Sequence, residues 1–126
     1  MFASVHALNW YFGWSLILAG FVVGAEIGLL FHREDFLGGY TSFRRRIIRL
    51  GHIALVALGM LNILFAIAVA PSNVARIASA LLVTGGVAMP AVCFLTGWRA
   101  PFRHLFFIPV VSLLAAVVLV LCGGLP

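Results

Sequence analysis

The sequence predicts an all-α, polytopic integral membrane protein, with four transmembrane helices forming an up-down bundle and residues 1–126 making a single membrane domain. Three observations predict it. The chain is 64% hydrophobic and 9% charged, whereas soluble domains run about 45–50% apolar and roughly 25% charged. Its mean hydropathy is +1.21, and a chain this short has too little interior to hide so much apolar surface, so lipid must act as the solvent. The apolar residues also fall into four runs that match a hydrocarbon core, which takes about 20 helical residues to cross.

The first run covers 8–31. The opening MFASVHALNWYFGW lacks the basic n-region and small-residue cleavage site of a signal peptide, so this run is expected to be a retained span. Gly20, Gly24 and Gly28 recur along one face, and Gly13 extends the stripe. Such a stripe lets a second backbone approach closely, which matters because lipid supplies no hydrophobic force between helices. Spacing alone leaves open whether that backbone belongs to the same chain or to another subunit.

The second run covers 50–70, with His52, Gly59, Asn62, Ala66 and Ala70 on one face. Pro71-Ser72-Asn73 turns the chain, and Ser72 or Asn73 is expected to cap the next helix. The third run covers 77–98, with Ser79, Gly86, Cys93 and Gly97 sharing a face. Arg99-Ala100-Pro101 separates it from the fourth run, 102–122, and Pro101 suits a first helical turn. Pro90 and Pro109 fall within the third and fourth runs, where each is expected to bend its helix by removing a backbone hydrogen bond. Cys93 and Cys122 fall at opposite depths of antiparallel spans, so both are expected to be free thiols.

Most of the charge lies in and around the segment 32–49, within the stretch FHREDFLGGYTSFRRRIIRLGH. All the basic side chains are arginines. Arg33, Arg44, Arg45, Arg46, Arg49, Arg99 and Arg103 flank one side of the bundle, and only Arg76 flanks the other. The positive-inside rule then places the 32–49 loop in the cytoplasm and both termini outside, in a bacterial-type inner membrane. Trp10, Tyr11 and Trp14 are expected to form an aromatic belt at the outer interface. Nucleic acid is excluded as a partner, because these arginines end apolar runs and form no separate basic domain.

Phe36, Leu37, Tyr40 and Phe43 are interleaved with polar residues and glycines, which suits a loop lying among lipid headgroups. Thr41 or Ser42 is expected to cap a helix beginning near Phe43. Arginines in that first turn oppose the helix dipole, so lipid phosphates or a partner's acids are expected to compensate them.

Three histidines, His32, His52 and His104, are expected to gather at the arginine-rich boundary. One reading is a haem b site, with His52 and His104 as axial ligands and Arg49 and Arg103 facing the propionates. A second is a bare metal site of His32, His52, His104 and Glu26, although no His-x-x-His or Glu-x-x-His pair fixes its geometry. The simplest reading makes them interfacial residues bonded to headgroups. Glu26 is more informative, since an ionisable residue at a span's centre costs about 2.5–3.5 kcal/mol and is functional by default. It is expected to pair with an arginine near the membrane edge, to meet a partner, or to carry protons or ions. Only Asn62, Ser79, Thr84 and Ser112 are available along the spans to continue a conduction path.

No nucleophile elbow, Cys-x-x-Cys pair or phosphate loop appears, and Gly38-Gly39 is too little to hold a nucleotide. The expectation is a non-catalytic subunit or accessory protein, embedded in lipid and packed against other subunits or itself. Haem b electron transfer is the alternative, and conduction through Glu26 a third.

Overall fold

The neighbours of the small residues show how the chain is threaded through its fold. A Cβ placed on Gly13 would touch Gly59 and Ile63, one on Gly20 would touch Val56, and one on Gly24 would touch His52. Numbers rise on one helix as they fall on the other, so the two helices are antiparallel. Gly51 against Phe94 and Gly97 against Ile48 give the same relation for the next pair, and Gly85 against Leu113 with Gly123 against Val74 for the last.

The computed structural model describes residues 2–123. It contains α1 (Phe2–Leu30), α2 (Phe43–Ala68), α3 (Asn73–Trp98) and α4 (Phe107–Gly123), with short 3₁₀ segments at Phe36–Gly38 and Ala100–Phe106. Four helical stretches are long and apolar enough to cross a membrane: Ser4–Leu30, Phe43–Ala68, Asn73–Trp98 and Ala100–Gly123. This is a four-helix up-down bundle.

The helix starts follow from local chemistry. Ser42 caps α2, its Oγ accepting from the Arg45 amide at 3.2 Å, and Ser72 caps α3 by accepting from the Ala75 amide at 3.0 Å. Each hydroxyl satisfies one of the four N–H groups that a helix start leaves without a partner. The helices reach beyond the apolar runs. α2 begins seven residues before position 50, because the Ser42 cap carries the arginines into helix before the hydrocarbon begins.

Pro109 departs from the expectation of a bend within a continuous span. It falls in the first turn of α4, and residues 100–106 before it wind as a 3₁₀ helix. An α-helical Pro109 offers no N–H to the Leu105 carbonyl and crowds it, which favours the tighter winding just upstream. Pro90 lies buried in α3, which runs unbroken through it.

α2 and α3 occupy the middle of the bundle, and α1 and α4 flank them with most of their surface uncovered. α1 packs along α2 and touches α3, while α4 packs on α3. A core of Phe65, Val69, Ala75, Ala78, Leu82 and Ala116 closes the end away from the 32–49 loop. Leu18, Phe21, Val111 and Leu114 remain exposed on the flanking helices. In water such faces would be unsustainable; in lipid they are the solvent-facing surface. Cys93 is buried and Cys122 exposed, and both are free thiols.

The glycine stripe of α1 is an intramolecular contact over most of its length. Gly13 and Gly59 oppose one another so closely that a Cβ on either would lie 2.6 or 2.7 Å from the other's carbonyl oxygen. Gly28 is different: nothing lies within 4 Å of a Cβ built there.

Candidate functional site

Apart from Arg76, the charged side chains that the sequence singles out lie toward one end of the bundle, so the site begins with the loop joining α1 to α2. Its reversal uses three consecutive residues in the left-handed region: Leu37 (φ 54°), Gly38 (φ 86°) and Gly39 (φ 97°). The glycines adopt this freely, whereas Leu37 carries a steric cost of roughly 1–2 kcal/mol. Two contacts hold Leu37 there. Its carbonyl accepts from Ser42 Oγ at 2.8 Å, and its side chain lines a cleft beside α1.

Arg45 organises this loop. It is 1% exposed, the most deeply buried charged side chain among the described residues. Its guanidinium donates to the carbonyls of Phe36 (2.6 Å), Phe31 (3.1 Å) and Arg33, and lies 4.9 Å from the centre of the Phe31 ring. The Phe31 carbonyl follows the last turn of α1, where carbonyls lack helical partners and the dipole is negative. The preceding residue does the same for the other neighbour, since Arg44 Nε donates to the Gly97 carbonyl in the last turn of α3 at 2.8 Å. An antiparallel layout sets the start of α2 between the ends of α1 and α3. Two adjacent arginines that oppose their own helix dipole therefore complement two others. The compensation expected from lipid phosphates or a partner is, for Arg44 and Arg45, supplied by the protein's own carbonyls.

Arg49 is also engaged internally, stacking 4.7 Å from the Tyr40 ring centre and donating to the Tyr40 carbonyl at 3.3 Å. Arg99 lies 5.0 Å over the Trp98 ring. Arg33, Arg46 and Arg103 are exposed and lie around the same end of the bundle.

The histidines do not converge. His52 is the tenth residue of α2, not its opening one, and its ring meets Gly24 between α1 and α2. His104 is exposed on the 3₁₀ segment Ala100–Phe106, which packs on α3 and α4. His32 is exposed in the turn after α1. His32 and His104 lie outside the long helices, whereas His52 lies more than two turns inside α2, and α3 separates the element bearing His104 from the α1–α2 contact that holds His52. Neither of the two best-formed clefts among the described residues is lined by His52 or His104. No group of three or more His, Cys, Asp or Glu side chains among the described residues could hold a metal ion.

Glu26 is exposed on α1, a little over one turn from its end. It makes no ion pair among the described residues, so the expected partnership with an arginine is not formed within the chain. It lines a cleft of about 340 Å³.

A second polar cluster lies toward the other end. Ser79 Oγ donates to Asn9 Oδ1, Asn9 Nδ2 donates to Asn62 Oδ1 at 2.7 Å, and Asn62 Nδ2 donates to the Leu58 carbonyl at 2.8 Å. Asn9 and Asn62 are 0% exposed and Ser79 2%. One chain of donors thus ties α1, α2 and α3 together. Nearby, His6 Nδ1 lies 3.0 Å from the Ala66 carbonyl, which can only accept, so the proton sits on Nδ1. The sequence reading named Asn62 and Ser79 but passed over Asn9. A signal for it exists: Asn9 falls four residues before Gly13, on the glycine face of α1. Replacing Asn62 by leucine is expected to cost about 1–2 kcal/mol in detergent unfolding, and the Asn9→Leu, Asn62→Leu pair to be markedly less than additive. Strict additivity in that double-mutant cycle would show that the bond contributes nothing.

These features define a class: a multi-pass α-helical membrane protein with a loop built around a buried arginine. No protein-family model, no curated protein and no solved structure matches the chain.

Proposed function

We propose that this chain is a non-catalytic subunit or accessory protein of a larger complex in a bacterial-type inner membrane, docking through its arginine-rich end. The supporting observation is how the arginines divide. Arg44, Arg45 and Arg49 are spent on the protein's own carbonyls and rings, whereas Arg33, Arg46 and Arg103 are exposed around the same end. Exposed guanidinium groups on a rigid frame suit acidic side chains of a partner at the headgroup level. The uncovered faces of α1 and α4 offer the apolar part of such an interface.

The haem reading draws less support, because His52 and His104 belong to elements that do not face one another. Conduction through Glu26 lacks a relay, since residues 16–25 of α1 carry no polar side chain toward the Asn9 cluster.

Gentle solubilisation of the native membrane, followed by native electrophoresis, tests the docking role. The chain is expected in a discrete complex much larger than 13.6 kDa plus its detergent, and the paired Arg46→Glu, Arg103→Glu substitution is expected to release it. A lone chain in every mild detergent would overturn the reading. Orientation is tested separately. A reporter inserted at Thr41 is expected to behave as cytoplasmic and one fused after Pro126 as external; the reverse pattern would refute the assigned sidedness.

A further inference from the structure

We infer that the cleft beside Glu26 is a binding site for a hydrophobic monocation, an amine or quaternary ammonium carrying at least one apolar arm. The cleft is formed by α1, the loop after it, α2 and α3, with Val23, Ile27, Phe36, Ile48 and Phe94 among its walls. Its volume of about 340 Å³ is within the range of small-ligand sites, roughly 300–1,000 Å³. Glu26 is the one ionisable group lining it; every other lining residue is apolar.

Charge complementarity selects the occupant. Glu26 makes no ion pair among the described residues, and an unmatched carboxylate beside otherwise apolar walls is costly. Arg45, which reaches the end of α1, has its guanidinium held by three carbonyls and over the Phe31 ring, and it does not line the cleft. A ligand cation would remove the electrostatic cost at Glu26, while its apolar arm displaces lipid from the walls. The Phe36 and Phe94 rings add a surface that favours positive charge. Anions meet a carboxylate and no lining cation, and a neutral ligand leaves Glu26 unmatched. This inference uses only the cleft and is independent of the docking role proposed above.

Benzyltriethylammonium is a suitable probe, because its charge is permanent and its ring supplies the apolar arm. Titrated into the protein in phosphatidylcholine nanodiscs and followed calorimetrically, it is expected to show saturable one-site binding. Affinity is expected to fall about tenfold or more in Glu26→Gln, and equally in Ile27→Trp, which fills the cleft but keeps the carboxylate. Glu34→Gln, altering a carboxylate outside the cleft, is expected to bind as the parent does. The carbon isostere of the probe, with the nitrogen replaced by carbon, is expected to bind about tenfold more weakly. Absence of saturable binding to the parent protein, parent-like affinity in Glu26→Gln, or equal binding of the isostere would each overturn the assignment. If Glu26→Gln does not fold, the isostere and Ile27→Trp decide the question by the same criteria.

Discussion

Replacing Arg45 by alanine is expected to destabilise the protein by about 3–5 kcal/mol, because it strands three carbonyls at roughly 1–3 kcal/mol apiece with partial recovery by lipid-interface water. The loop should be released first. Limited proteolysis of the purified protein should cut between residues 32 and 42 far faster in Arg45→Ala than in the parent. Arg46→Ala supplies the comparison: the neighbouring arginine is exposed, and its loss is expected to stay within about 0.5 kcal/mol. Lysine at position 45 should rescue only part of the loss. A single ammonium cannot present the planar fork that reaches Phe36, Phe31 and Arg33 together, nor stack as a plane on the Phe31 ring. Equal stability and equal cleavage of Arg45→Ala and Arg46→Ala would remove Arg45 from its organising role.

The second large effect is expected at the Gly13–Gly59 crossing. Either glycine replaced by alanine puts a methyl 2.6 or 2.7 Å from a backbone carbonyl oxygen of the opposite helix. No side chain can swing aside there, so the backbones of α1 and α2 must separate, at a cost of about 1–3 kcal/mol. Leucine at either site is expected to prevent a stable bundle. Gly28→Ala is expected to be neutral or stabilising by up to about 1 kcal/mol, since its site is open and alanine is the better helix former. Gly24→Ala should fall between, as it displaces the His52 ring and not a backbone. Unfolding in dodecyl maltoside with increasing sodium dodecyl sulfate would rank all four. A Gly28→Ala protein as unstable as Gly13→Ala would contradict the packing described.

The contrast between glycines shows where sequence reading stops. Gly20, Gly24 and Gly28 look equivalent by spacing, and periodicity correctly marks them as one face. What each of them meets, Val56, His52 or nothing, depends on how the neighbouring helix is placed, which no local pattern records. The histidines make the same point. His32 and His104 lie outside the long helices while His52 is the tenth residue of α2, so hydropathy boundaries do not make a shared site. Lateral order decides that, and α3 stands between.

Arg45 is the sharpest case. Within FRRRIIR nothing local distinguishes it from Arg44 or Arg46. The hundred-degree step of a helix sends the three in different directions: Arg44 to the end of α3, Arg45 to the end of α1, and Arg46 outward. Their destinations exist only once the neighbouring helices are in place.

The sequence by itself determined the four spans, their alternation, the helix starts capped at Thr41 or Ser42 and at Ser72 or Asn73, and the concentration of charge at one end. Each of these depends on transfer free energies and hydrogen bonds within a few residues, so composition and short-range order suffice. Tertiary structure alone decided the burial of Arg45, the chain of donors from Ser79 to Asn62, the separation of His52 from His104 and the cleft beside Glu26. Those depend on which helix stands next to which, and at what rotation. In a membrane that choice is made by close packing and buried polar bonds between segments distant in the chain, not by the hydrophobicity that reveals the segments themselves.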